Sequence, residues 1–485
     1  MREAGVLIAV SSLPSRHGIG DFGLEAREFL KMSKRAGFKY WQILPLNPVG
    51  FGNSPYQPYG SKPFDEIYIS LDLLQKDKLI TKVPNFHENA EKVDYEKVRN
   101  FKLKYLKLAF ENYKSTKKTG FARFKNANKW VYNYAVFVTF KKNNYLNQWH
   151  YWPAEFKNWI HDKKMDLTPY LSQIEFEMWL QFIAYKQWQD LHKYANARGI
   201  EVVGDMPIYV GIDSVDVWEN TEAFLLDDQY FPTHIAGVPP DFFSATGQRW
   251  GNPLYDWDYL AAHNFDFWKE RLGYNAKLFD MIRIDHFRAF DTYWKIPSSC
   301  PTAVEGEWVE APGYQLFDAL LKDFPNLKII AEDLGDLRPE VLVLRDHFDL
   351  PGMEIVAFTY NPISMQPLTN PRRIIYTGTH DNQTMVSWFN SQDLAFKRAS
   401  EDDLNRRGFI EYDNIFDKFL AYTFFSSANI AIVPMQDLIL LDDSARLNTP
   451  GTIGSPNWEW KLKDLTKYHR RLKFLLRLVK VSKRK

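Results

Sequence analysis

Cysteine is almost missing from this sequence: Cys300 stands alone among 485 residues. One thiol excludes an internal disulfide framework and any multi-cysteine metal site, which suits a reducing compartment. An excess of one charge is missing too. The 61 Lys and Arg against 60 Asp and Glu leave a formal net charge of +1, so electrostatics make no case for nucleic acid or an acidic membrane as partner. No apolar run is long enough to span a bilayer. Met1-Arg2-Glu3-Ala4 leads straight into a strand-like run with no cleavage pattern, and the expected compartment is the cytoplasm. No Gly-x-Gly-x-x-Gly turn follows a strand, and there is no His-x-His pair or His-Glu-x-x-His helix. Neither a cofactor nor a metal is therefore expected.

What the chain has in plenty is aromatic residues. They make up 16% of it, with 16 Trp and 26 Tyr, inside an otherwise ordinary composition of 45% hydrophobic and 25% charged residues. A ring with one polar edge suits the flat apolar face of a sugar as well as it suits a core. Trp130, Tyr134, Phe137, Trp149, Trp152 and Trp159 fall in one helical block and are expected to form its core.

Eight short strand-like runs recur: Gly5 to Leu13, Tyr40 to Leu46, Ile200 to Ile208, the stretch opening at Met281, Lys328 to Asp333, Met353 to Phe358, Ile374 to His380 and Ile430 to Gln436. Segments with room for a helix separate most of them, and none forms a tight hairpin with the next. The pattern predicts an α/β fold, a (β/α)₈ TIM barrel with large helical and loop insertions after strands two and three. Residues 1–485 make a single catalytic barrel in this reading. Residues 47–199 are a mainly helical insertion, in which Leu103, Leu106, Phe110 and Tyr113, then Met178, Phe182 and Tyr185, recur at helical spacing. Residues 209–280 are a second, irregular insertion with a substrate-covering loop. Asp21 is expected to cap a helix ending at Gly37, and Asp213 and Asp336 to cap helices of their own.

The chain is organised around Met281-Ile282-Arg283-Ile284-Asp285-His286-Phe287-Arg288. In a strand, Arg283 and Asp285 share one face and Ile282 and Ile284 the other. At ~3.3 Å per residue the two charges start roughly 6.6 Å apart at Cα, close enough for the guanidinium to favour an ionised carboxylate. The bland alternative is an ion pair that only pins neighbouring loops. Barrel chemistry gathers at the carboxyl ends of the strands, where Asp205, Asp285 with His286, Glu332 with Asp333, and His380 with Asp381 all fall. Several carboxylates with no Ser or Cys elbow suit glycosyl transfer or, less well, a metal site using His286 and His380. Glycosidic cleavage needs one ionised carboxylate and one protonated one; Asp285 beside Arg283 fits the first, and Glu332, facing two other acids, fits the second.

The ordered set Ser11-Ser12-Leu13-Pro14, Trp41-Gln42-Ile43-Leu44-Pro45-Leu46, Ser54-Pro55-Tyr56-Gln57, Gly204-Asp205-Met206-Pro207, Gly247-Gln248-Arg249-Trp250-Gly251-Asn252-Pro253, Arg283-Ile284-Asp285-His286-Phe287-Arg288, Ala331-Glu332-Asp333-Leu334-Gly335 and Thr377-Gly378-Thr379-His380-Asp381-Asn382 resembles the amylomaltases of glycoside hydrolase family seventy-seven, in the α-amylase clan. The resemblance covers nearly the whole chain. It implies a 4-alpha-glucanotransferase that moves α-1,4-glucan segments between maltooligosaccharides by a retaining mechanism. Asp285 would be nucleophile, Glu332 acid/base and Asp381 the third carboxylate. Tyr56, Asp205, Arg283, His286 and His380 match positions around the cleaved bond, and Ser54, Gln248, Trp250 and Asn448 match further sugar contacts. Phe51 stands where Tyr is expected, and Leu447 where Met is usual. These departures bear on a remote glucan-binding surface, not on the catalytic centre.

Two other classes of reading stay open at this point: an α-glucan hydrolase of the same clan and a non-catalytic glucan-binding protein. Oligomeric state is left open as well. In the basic stretch Lys461 to Lys485, Leu472, Leu475, Leu476 and Val479 are expected to form one buried helix face, with the Lys and Arg residues on a solvated face and a frayed tail.

Overall fold

The computed structural model describes residues 2–86, 91–116, 119–240, 244–364 and 370–484. Eight parallel strands form one sheet: β1 (Glu3–Leu7), β2 (Tyr40–Gln42), β3 (Glu201–Met206), β4 (Met281–Ile284), β5 (Ile329–Ala331), β6 (Met353–Ile355), β7 (Ile374–Tyr376) and β8 (Ile430–Pro434). Neighbours in space are neighbours in sequence, and β8 pairs with β1. A parallel bridge between Ala331 and Gly352 joins β5 to the approach of β6 and closes the barrel. The predicted runs are the observed strands, though regular pairing stops earlier than their apolar character does. β1 ends at Leu7 and β2 at Gln42.

Alternation along the strands sorts the side chains. Val6, Trp41, Val202, Ile282, Ile284, Ile375 and Val433 face the outer helices, whereas Leu7, Tyr40, Val203, Met281, Ile330, Met353, Ile374 and Ile432 pack together as a separate cluster inside the barrel. Higher on the same inward rows the residues become polar. Gln42 accepts from the Tyr376 hydroxyl at 2.8 Å, and Asp205 on β3 lies opposite Arg283 on β4.

The chain between β2 and β3 is mostly helical, and its last helix, Leu171–Asn196, packs on the barrel itself. Trp188 on that helix is fully buried among Phe22, Trp41, Phe64 and Phe279 and donates to the Leu278 carbonyl at 3.1 Å. Two buried amides on the same helix clamp the incoming loop. Gln181 pairs with both backbone groups of Phe64 at 2.8 Å, and Gln187 pairs with those of Ser70 at 2.7 and 3.2 Å. Tyr134, Phe137, Trp149, Trp152 and Trp159 are buried as expected, and Trp130 partly so.

A second sheet was not anticipated. Gln248–Pro253, His234–Val238, Thr292–Pro297 and Glu307–Glu310 pair antiparallel in that order. Two of its strands precede β4 and two follow it, so the segment around Trp250, expected as a loop, is a strand, and a further insertion follows strand four. Three expected caps also change. The helix Leu24–Ala36 starts from Gly23, while Asp21 accepts the Gly23 N–H at 2.9 Å and faces Lys102 at 3.4 Å. Ser214 caps Val215–Glu219, and Asp213 binds Lys141 instead. The helix after Asp336 starts from Arg338, and the Asp336 carbonyl accepts from Arg288.

The last helix, Thr466–Val481, buries Leu472, Leu475, Leu478 and Val479, with Leu476 half-buried. Its tail is not frayed. Arg484 is buried and donates to the carbonyls of Phe424, Glu3 and Ser426 at 2.6 to 3.0 Å, where backbone oxygens replace water around the guanidinium. Among the described residues no helix is long and apolar enough to cross a membrane.

Trp188→Ala removes the largest ring between helix and barrel and is expected to cost about 3–5 kcal/mol. A clear drop in the thermal midpoint checks this, and an unchanged midpoint would show that the helix does not support the barrel.

Candidate active site

Three strands deliver three carboxylates to one rim. Asp205 sits near the end of β3, Asp285 directly after β4, and Glu332 directly after β5. Arg283 joins the first two. Its Nη1 donates to both oxygens of Asp205 at 2.8 Å, and its Nη2 donates to Asp285 Oδ1 at 2.8 Å. Asp205 and Arg283 are buried, while the Asp285 side chain is 29% exposed and faces the cleft. The pair thus does more than pin a loop: it presents one carboxylate to the opening.

His286 turns the chain immediately after Asp285. Its φ of 53° lies in the left-handed region, disfavoured for a residue with a Cβ, and aims its backbone N–H at Glu332 Oε2, 2.6 Å away. Leu334 N–H binds the other oxygen, Oε1, at 3.0 Å. Both bonds and Arg283 favour the charged carboxylate, yet burial and then the negative Asp285 outweigh them and push Glu332 up to about 7. Sequence reasoning expected a raised Glu332 from neighbouring acids; burial is the larger cause. Burial also holds the His286 imidazole down at about 4, so the ring is neutral near pH 7.

The strand-seven end adds Asp381 from the other side. Asn448 Nδ2 donates to Asp381 Oδ1 at 2.7 Å, and His380 Nε2 lies 3.4 Å from the same oxygen. Arg446 ties the two segments by donating to the Asp381 and Asn448 carbonyls at 2.7 and 2.8 Å. Tyr56 crosses back to the first cluster: its hydroxyl donates to Asp205 Oδ2 at 2.8 Å and lies 3.0 Å from His380 Nε2. Because the hydroxyl has one proton and Asp205 takes it, His380 Nε2 carries the proton of the second bond.

The cleft above these groups has a volume of about 700 Å³. Ser54, Tyr56, Gln248, Trp250, Asp285, His286, His380, Asp381 and Asn448 all line it. Trp250 meets His286 edge-on at 4.8 Å between ring centroids, and its ring N–H donates to Gln248 Oε1 at 3.1 Å. Ser54 Oγ accepts the Tyr56 N–H at 3.3 Å and shapes the turn that carries that ring. Asp333, next to Glu332, is turned away and buried under Arg345 and Arg373, with Met353 N–H at 2.8 Å. It belongs to the frame. The side chain of Phe51 lies outside the described part of the structure. Among the described residues no three His, Cys, Asp or Glu side chains are arranged to hold a metal ion.

Several lining residues had no assigned role. Gln57 Nε2 donates to the Trp250 carbonyl at 3.2 Å and to Asn252 Oδ1 at 2.8 Å, so it couples the two segments that flank the cleft. Both residues lie inside motifs already singled out. Trp458 packs on Tyr56 and His380 at 5.8 and 5.9 Å. It follows the irregular stretch Gly451-Thr452-Ile453-Gly454-Ser455-Pro456-Asn457, where no periodic signal could mark it.

Known proteins resemble this chain in sequence and in fold. A family model described as 4-alpha-glucanotransferase matches residues 8–467. The 4-alpha-glucanotransferase of Thermus thermophilus is 39% identical over 476 residues, 95% of each chain. That of Synechocystis is 40% identical over 483 residues, 95% of this chain and 94% of its own. The amylomaltase of Streptococcus agalactiae, solved in complex with acarbose, superposes with a TM-score of 0.94 and 34% identity over the whole of both chains. The chain belongs to the 4-alpha-glucanotransferase family, glycoside hydrolase family seventy-seven.

Proposed function

We propose that the cleft takes α-1,4-glucans and maltooligosaccharides and transfers glucan segments between them, with Asp285 as nucleophile, Glu332 as acid/base and Asp381 as the carboxylate that holds sugar hydroxyls. One observation carries this assignment. A single guanidinium engages Asp285 Oδ1, while the N–H of the very next residue engages Glu332, so adjacent residues hold the two carboxyls beside each other. In the first step Asp285 Oδ2, which Arg283 does not engage, attacks the anomeric carbon. The glycosidic C–O bond breaks, and Glu332 gives its proton to the departing oxygen. In the second step an acceptor hydroxyl loses its proton to Glu332 and its oxygen displaces Asp285. Two inversions restore the original α configuration.

Transfer instead of hydrolysis requires that the acceptor reach the glucosyl–Asp285 intermediate ahead of water. Trp250, fixed over His286 and held from behind by Gln57, is the cover in this proposal, and Gln248 and Asn448 are the nearby amides for sugar hydroxyls. The neutral His286 ring keeps a second positive charge away from a centre where positive charge develops on the sugar.

Maltotriose incubated with the pure protein should yield glucose and longer maltooligosaccharides; products no longer than the substrate would refute transfer. Asp285→Asn preserves shape and removes the nucleophile, and turnover is expected to fall by about 10⁴-fold or more with an unchanged circular dichroism spectrum. Near-normal turnover of that variant would contradict the nucleophile assignment. Glu332 is protonated below its value of about 7 and loses its proton above it, so kcat/KM on maltotriose should decline as pH rises through about 7. A glucosyl fluoride, whose leaving group needs no proton, should show a far weaker alkaline decline, and Glu332→Gln should impair it much less than maltotriose. Equal losses on both substrates would remove Glu332 from the acid role.

A further inference from the structure

Gln148, Ile212 and Asp213 line part of the cleft, and aromatic side chains flank Gln148 in the chain. Trp149 donates its ring N–H to the Ile212 carbonyl at 2.7 Å and its backbone N–H to Asp213 Oδ1 at 3.2 Å. The turn Trp149–Tyr151 is thereby tied to the cleft wall. Beyond it, His150 and Tyr151 both meet Phe231, at centroid distances of 4.7 and 5.3 Å. His150 is buried and its ring neutral near pH 7, while Tyr151 is 65% exposed.

The same loop holds Tyr145 at 92% exposure and Leu146 at 61%, at φ of 58° and 61°. That is the left-handed region, where a Cβ is disfavoured, and neither side chain gains core burial in return. The backbone beneath them is nevertheless fixed. Leu146 N–H binds the Lys141 carbonyl at 2.9 Å, and Lys141 Nζ reaches the carbonyls of Leu146 and Asn147 at 3.2 and 3.3 Å. Trp152 adds a ring N–H to the Asn147 carbonyl at 2.9 Å.

We propose that Tyr145, Leu146, Tyr151 and Phe231 form a platform that holds the part of a long α-1,4-glucan emerging from the cleft past Gln148. The inference rests on the glucan-transfer reading of the cleft and names a second contact for the same polymer. Continuity identifies the occupant, because a chain too long for the cleft must leave it along its walls, and Gln148 on this wall lies three residues from each of the exposed rings of Tyr145 and Tyr151. Apolar sugar faces meet those rings, and the exposed amides of Asn147 and Gln148 are at hand for hydroxyl edges. No bond is made or broken there. The platform discriminates by length.

Tyr145→Ala and Tyr151→Ala test it, with long-chain amylose as donor and glucose as acceptor, against maltotriose alone. The expected result is about a five-fold rise in the KM for amylose, the effect of one lost ring contact, with kcat/KM for maltotriose unchanged. Tyr151→Phe, which keeps the ring, should match the wild type. An unchanged amylose KM in both alanine variants overturns the platform, as does an equal loss on maltotriose, which would place the damage in the cleft. Weaker retardation of Tyr151→Ala than of the wild type in an amylose-containing native gel supports the platform independently of turnover, and equal retardation of the two overturns it. If the wild type fails to disproportionate maltotriose, the transfer reading falls, and the gel alone then decides the platform.

Discussion

The barrel mouth depends on Arg283, which binds Asp205 and Asp285 at once. Taking a guanidinium out of water is costly and is offset only when its donors are well used. Here two nitrogens engage Asp205 and Asp285 with three contacts at 2.8 Å. One positive charge faces these two carboxylates, and the third carboxyl beside them, Glu332, is pushed up to about 7. Burial is the larger cause of that rise and the nearby Asp285 the second, both acting against the pull of Arg283. Asp205 never touches the opening, yet its second oxygen carries Tyr56 and, through that hydroxyl, His380. The same ion pair thus also positions the groups on the far side of the cleft.

The barrel makes this arrangement rigid. Asp205 and Arg283 are direct partners in the β3–β4 register, and Met281 beneath Arg283 belongs to the apolar filling of the barrel. Parts that are not barrel strands are held by side-chain amides and ion pairs. Gln181 and Gln187 clamp the segment after the Tyr56 turn, and Gln57 bridges that turn to the strand bearing Trp250. Each connection satisfies buried backbone or amide groups that would otherwise be costly, so the polar bonds that shape the cleft also stabilise the loops around it.

The eight barrel strands were legible because a strand buried on both faces is an apolar run, and that is a property of a few consecutive residues. The second sheet was not. Its four strands come from two segments separated by β4, and their alternation, as in Tyr293-Trp294-Lys295-Ile296 or Glu307-Trp308-Val309-Glu310, is short and mixed with charge. Asp21 and Asp213 look like helix caps because an acid before a helix usually is one. Lys102 and Lys141 arrive from distant helices and take those carboxylates instead. Arg484 looked like part of a frayed basic tail for the same reason. The carbonyls that surround it come from residues 3 to 426, and nothing local announces them.

What the sequence by itself determined is the set of chemical groups and the face each one takes: Arg283 and Asp285 together and inward, Ile282 and Ile284 outward, with Glu332 and Asp381 at later strand ends. Period-two alternation needs no more than the local chain. Tertiary structure alone decided that Glu332 sits against the His286 N–H, that Asp381 meets Asn448, and that Tyr56 links Asp205 to His380. Those meetings span up to 324 residues of chain and exist only because the sheet closes on itself. The burial that keeps a proton on Glu332 belongs to the same closure, since desolvation comes from atoms brought in by every surrounding strand and loop.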